Sequence, residues 1–197
     1  SNQGLNVELL DSPAGGKNVY AYFGEDKNAS VLLTSHIDTV PPYFNYSLER
    51  DAENRLRIHG RGSTDAKASV ASQIIAAKEL VAEKKVSSED ISFLYVVGEE
   101  IGGLGMVPAD KQLIKEYVGW DTVIFGEPTG NRLAVGHKGI YYFQIRVYGR
   151  SCHSGYPELG VDANKALIGI MNDLLTTQFP ESKLLGKTTV NIGEIDA

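Results

Sequence analysis

The chain has 197 residues, of which 42% are hydrophobic and 22% charged, enough for one or two compact soluble domains. Nineteen basic against 25 acidic residues leave a net charge of -6, which argues against nucleic acid or an anionic membrane as partner, since both would be repelled. No apolar run approaches the roughly 20 residues of a membrane span, no charged-then-apolar leader opens the chain, and a single cysteine, Cys152, excludes an internal disulfide and a cysteine-rich zinc site. Any metal ligands must therefore be His, Asp and Glu.

Short β-type runs alternate with helical patterns, which predicts an α/β architecture. NVYAYF (18–23) and SVLLTSH (30–36) read as strands separated by the turn GEDKNA. Residues 66–84 read as a helix with Val70, Ile74, Ala77 and Val81 on one face. ISFLYVVG (91–98) follows as a buried strand, then a helix around Pro108 to Tyr117 and a short strand DTVIFG (121–126). From Ile140 the texture changes. IYYFQIRVYG reads as a long aromatic strand with one face packed, followed by a helix with Ala163, Ala166, Leu167, Ile170, Met171 and Leu174 on one stripe, and a strand KTTVNIGEI. A domain boundary near Gly139 divides the chain into residues 1–138 and 139–197; the second segment reads β-α-β, half of a β-α-β-β-α-β unit.

The acidic and imidazole residues gather at the carboxyl ends of the expected strands, where open α/β sheets place their sites. His36 and Asp38 follow SVLLTS, Glu99 and Glu100 follow FLYVVG, and Glu127 follows TVIFG. Asp65 sits in HGRGSTDAK, a glycine-rich turn entering a helix, where it could equally be an N-cap. Two adjacent glutamates after an apolar strand raise each other's pKa if both are buried, a cost that a divalent cation removes. Zinc accepts imidazole nitrogen and carboxylate oxygen, and one carboxylate can bridge two ions.

The motifs SHIDTVP, GRGSTDAK, VVGEEIGGLG, FGEPTG and GHKG, in this order and spacing, resemble the co-catalytic zinc carboxypeptidase and aminoacylase family. That family includes carboxypeptidase G, acetylornithine deacetylase and succinyl-diaminopimelate desuccinylase; FGEPT, GHKG and HSGYPELG together are most similar to its fungal-type carboxypeptidase branch. The resemblance implies a three-layer αβα zinc-peptidase catalytic domain over residues 1–138. Residues 139–197 would form the first half of a ferredoxin-like α+β lid and dimerisation domain. It implies two zinc ions, with cobalt or manganese as alternatives. His36 would bind one ion, Asp65 bridge both, Glu100 bind the second, and Glu127 complete the first. Asp38 would orient His36, as the partners of ligating histidines do; Glu99 would be the general base; His153, in SCHSGYP, would reach the substrate carbonyl from the partner subunit of a homodimer. The implied substrate is a small peptide or an N-acyl amino acid.

The sequence departs from the family pattern in three places. Ala68 stands where the family usually carries a glycine after the lysine. The family's last zinc ligand, a histidine near the carboxyl end of a chain nearly twice as long, falls beyond Ala197. The family also begins with a helix and strand ahead of GLNVELLDSP, so the chain reads as truncated at both ends, with Ser1 and Asn2 as a tag remnant. The reading from another class is therefore a non-catalytic dimerisation or peptide-binding module, or an inactive fragment. His59 and His137 fit no ligand position, Arg61 holds the glycine-rich turn, and Cys152 lacks a thiol-activating set. Asn28 (NAS) and Asn45 (NYS) are sequons that permit a secreted location.

Overall fold

A computed structural model describes residues 4–116 and 118–196. Tyr117, where the second expected helix was to end, lies outside the described residues, as do Ser1 and Asn2. The chain divides into two units, Ser1–Arg132 and Leu133–Ala197.

In the first unit the expected strands become β2 (Lys17–Phe23), β3 (Val31–His36), β6 (Ile91–Val96) and β7 (Thr122–Phe125), and Leu5–Asp11, not foreseen from the sequence, adds β1; the five join in one sheet in the order β1-β2-β6-β3-β7. β1–β2 and β2–β6 are antiparallel, whereas β6–β3 and β3–β7 are parallel. The turn GEDKNA makes no hairpin: β2 pairs with β6 rather than β3. The turn is pinned instead by the Tyr20 hydroxyl, which donates to the Lys27 carbonyl at 2.6 Å, and by Lys27 Nζ, which reaches Glu8 at 2.8 Å and Glu116 at 2.6 Å. A hairpin of β4 (Ser47–Arg50) and β5 (Leu56–His59), not foreseen from the sequence, is inserted after β3.

Two helices cover opposite faces of the sheet. Along α1 (Ser69–Ala82), Val70, Ala77 and Val81 pack on Ala21, Ile91, Phe93 and Tyr95. Ile74 of the expected stripe stays 40% exposed. α2 (Met106–Lys115) lays Met106, Ala109 and Leu113 on Leu10, Tyr20, Leu32, Leu94 and Val96. β6 is buried along its whole length, as a strand covered on both faces must be. The chain leaves β3 toward α1 on one face and leaves β6 toward α2 on the other. Adjacent parallel strands whose connections diverge in this way open a crevice at their carboxyl ends.

The second unit holds α3 (Ala163–Thr176) and a two-stranded ladder of β8 (Glu181–Ser182) and β9 (Gly186–Lys187). Asp162 caps α3 by accepting the Lys165 amide at 3.0 Å, and Ala163, Leu167, Ile170, Met171 and Leu174 form its less exposed side. The expected strands over 140–149 and 187–195 are not formed as ladders. β-propensity fits a residue to a pleated surface, but a strand also needs a neighbour for its N–H and C=O groups. Among the described residues, this stretch of chain has only the Arg150↔Val161 bridge and β8–β9.

Candidate metal centre

His36 is the last residue of β3 and is 1% exposed. Its Nδ1 faces the carbonyl of Asp38 at 3.2 Å, so that nitrogen carries a proton and donates it. Nε2 points at Asp65 Oδ1, 2.8 Å away, and lies 3.8 Å from Glu127 Oε2. The Asp38 carboxylate stands 3.5 Å from Nδ1, beyond a hydrogen bond, and has other work. Its two oxygens accept the backbone N–H groups of Glu99 and Glu100, each at 3.3 Å. Asp38 thus orients His36 through its carbonyl and ties the loop after β6 to the loop after β3 through its side chain.

Asp65 arrives by a kinked turn, Ser63–Ala68, inside which it has the non-helical angles φ −112°, ψ 97°. The turn opens at Gly62, whose φ of 83° and close approach to Thr39 exclude a side chain; a Cβ there would lie 2.5 Å from Thr39 Cγ2. Lys67 closes the turn, its N–H donating to the Gly62 carbonyl at 3.0 Å and its Nζ to the Ile37 carbonyl at 3.2 Å. Asp65 is followed by a cis peptide and is not the N-cap of α1, a position held by Ala68. Glu127 leaves β7 one residue after Gly126, whose N–H donates to the Thr34 carbonyl at 2.7 Å.

One ligand atom from each of His36, Asp65 and Glu127 lies within 4.8 Å of the others. Burial disfavours a charged His36, but the Asp65 carboxylate, with Glu127 and Glu99, outweighs it and holds the imidazole above its ordinary pKa. Burial raises the Glu127 carboxyl, and Glu99, Asp65 and Glu100 raise it further against the opposing pull of His36. With Nδ1–H committed to a carbonyl, a positive charge has to sit between Nε2 and the carboxylates, either a proton or a cation. An imidazole and two carboxylates form a zinc-type donor set, so the residues present fit a divalent ion.

Glu99 and Glu100 occupy a tight loop braced by Gly103 and Leu104 amides on the Gly98 carbonyl. Glu99 is exposed and close enough to His36 and Glu127 to act on both charges. Glu100 stands outside the three-residue group; with Asp65 it borders a cavity of about 340 Å³ that Phe44, Ile58 and His59 also line. A larger cavity of about 680 Å³ lies at the opposite, amino ends of the parallel strands, around Asn28, Glu89 and Trp120, away from this chemistry. His153 belongs to the second unit, where it is exposed, accepts the Gly155 N–H on Nδ1 at 2.9 Å and packs on Tyr156. Cys152 is exposed. Arg61 does hold its turn, donating to the Pro42 carbonyl at 3.1 Å and stacking on Phe44.

Two supporting residues escaped the sequence reading. Asn18 is fully buried: its Nδ2 donates to the Gly105 carbonyl at 2.8 Å and its Oδ1 accepts the Val97 N–H at 2.9 Å, fastening both ends of the Glu99–Glu100 loop. A lone amide inside NVYAYF was the available signal. Gln73, on α1, gave no signal distinct from an ordinary surface residue.

A family model described as peptidase family M20/M25/M40 matches residues 32–194. Among curated proteins, a "Peptidase M20 domain-containing protein" of Schizosaccharomyces pombe is 49% identical over 198 residues, covering 99% of this chain and 48% of that protein. A "Probable carboxypeptidase" of Emericella nidulans is 40% identical over 215 residues, 98% of this chain and 50% of that one. The chain therefore spans about half the length of the curated relatives it matches. Among solved structures, a tripeptidase of Staphylococcus aureus aligns with a TM-score of 0.55 at 20% identity, over 86% of this chain and 46% of its own. The aminopeptidase PepT of Bacillus cereus aligns at 0.51 and 24%, over 98% and 52%. These likenesses show the mixed α/β fold. The family match runs through the strand that carries His36, the turn of Asp65 and the segments of Glu99, Glu127 and His153, and on it the chain belongs to peptidase family M20/M25/M40.

Proposed function

We propose that the chain carries most of the active site of a zinc-dependent amide hydrolase, a carboxypeptidase or N-acyl-amino-acid deacylase acting on small peptides or N-acyl amino acids. The observation that carries the reading is the convergence of His36 Nε2, Asp65 and Glu127 beside Glu99. His36, Asp65 and Glu127 would hold one ion, and Asp65 with Glu100 would hold a second; cobalt or manganese would suit the same donors. When bound, the metal supplies a Lewis acid for the scissile carbonyl and acidifies water. Glu99 takes the proton of the attacking water and returns it to the leaving amine. Asp38 keeps Glu99 in place through the backbone and fixes the ring nitrogen that His36 presents. Residues 139–197 form part of a lid and dimerisation domain, from which His153 of one subunit meets the substrate oxyanion at the site of the other.

The test is elemental analysis of the full-length protein with assays on N-acyl amino acids and dipeptides. Chelation should abolish hydrolysis and zinc should restore it; Glu99→Gln should keep the metal and lose at least about a hundredfold in kcat. Undiminished turnover after complete chelation rules out the metal reading, and an active Glu99→Gln removes the base assignment.

A further inference from the structure

The three ligand residues sit on three different elements, and one side chain touches the frame of all three. Gln73 projects from α1, the helix that the Asp65 turn leads into. Its Nε2 donates to the Thr34 carbonyl at 3.0 Å, two residues before His36, and to the Ile124 carbonyl at 3.1 Å, three residues before Glu127. Thr34 already accepts the Gly126 N–H, and the Ser35 hydroxyl donates to the Gly126 carbonyl at 2.7 Å. The backbone from which Glu127 departs is thus held from β3 on both its N–H and its C=O, and the joint is held from α1 by the glutamine. Gly126 has to lack a side chain for this, since a Cβ would lie 2.8 Å from Gln73 Nε2 and 3.1 Å from Ser69 Cβ.

The glutamine is a costly choice for packing alone. Its Oε1 is buried with no hydrogen-bond partner among the described residues, a penalty that a methionine of the same reach would avoid. What the amide adds over methionine is the pair of bonds to the ends of β3 and β7.

We infer that Gln73 is a positioning residue of the metal centre: its amide, seated on Gly126, clips β3 and β7 together and sets the reach of Glu127 toward His36 and Asp65. The inference rests on the metal reading above. It concerns geometry more than stability, because losing two bonds to carbonyls that belong to a ladder is offset by relief of the orphaned Oε1.

The experiment measures zinc affinity by competition with a chromophoric chelator, the visible spectrum of the cobalt(II) form, and melting of the metal-free protein, each on the folded chain. Gln73→Met should weaken zinc about tenfold, as loss of an outer support does, and shift the cobalt bands, with metal-free melting left near that of the wild type. Gly126→Ala should do the same, and the double variant should be no weaker than the poorer single, because both act through one clip. Wild-type zinc affinity with an unchanged cobalt spectrum in Gln73→Met overturns the clip, and Gly126→Ala carries the same readouts should that variant fail to fold. A wild-type chain that takes neither zinc nor cobalt overturns the metal reading instead.

Discussion

Replacing Asn18 by leucine should be among the most damaging single changes in the first unit. Leucine branches at the same atom as asparagine and is bulkier, so no space opens for a water to take over the lost bonds. The Val97 N–H would be left in the interior without a partner, and the Gly105 carbonyl would keep only the long bond from the Ala109 N–H at 3.5 Å. The buried orphan costs about 1–3 kcal/mol and the lost bond to the Gly105 carbonyl about 0.5–1.5 kcal/mol, so the change costs about 1.5–4.5 kcal/mol against a total stability of order 10 kcal/mol. At about 2.1 cal/mol/K per residue, the first unit of 132 residues unfolds with an entropy near 0.28 kcal/mol/K. The expected fall in Tm is therefore about 5–16 °C. The single tryptophan gives the assay: Trp120 donates to Ser92 Oγ at 2.7 Å at the edge of the α2-side core, so its fluorescence reports this unit. Amide exchange over Val97–Gly105 should accelerate more than exchange along β2. A Tm drop under about 4 °C, or exchange raised uniformly across the sheet, would refute the claim that Asn18 fastens this loop.

Leu113→Ala should destabilise the unit by about 2–5 kcal/mol in urea titrations, because a leucine only 1% exposed leaves a cavity between α2 and the sheet. Asp38→Ala should lower zinc affinity about tenfold by calorimetry, since the Glu99 and Glu100 amides lose their common anchor while the carbonyl that holds the His36 ring remains. The β4–β5 hairpin should be acid-sensitive. Burial acts to raise the Asp51 carboxyl, but the amide and guanidinium donors of Arg55, with Arg57 and the Glu53 amide, hold it below the ordinary range. A lowered folded pKa gives stability that is present above the unfolded value of about 3.9 and lost as pH falls through the folded one. Hairpin amides should therefore exchange faster as pH falls below about 4, and Asp51→Asn should remove that dependence.

Much of the first unit was legible because local pattern and tertiary role agree there. β3 and β6 are apolar runs buried on both faces, and α1 shows its stripe at Val70, Ala77 and Val81. The candidate site was legible for the same reason: each of its residues directly follows an apolar run or a glycine turn. The geometry behind it was not legible. That Asp38 spends its carboxylate on two amides and its carbonyl on His36 depends on the fit of two loops 61 residues apart, which no spacing encodes. Gln73 and Asn18 act through backbone groups of other elements, and a backbone carbonyl leaves no mark in the sequence. Over residues 140–149, β-propensity described the side chains correctly and said nothing of a partner strand.

That stretch has a consequence for how the chain behaves in solution. Ile140–Ile145 is six residues without charge, proline or glycine, with Ile140, Tyr141 and Tyr142 at 76–84% exposure. Segments of this kind nucleate cross-β assembly when their backbone is free. The second unit expressed alone should therefore show a lag phase and seeding in its aggregation, at a rate set by protein concentration. A charge placed at Tyr142 should lengthen that lag and leave α3 unaltered.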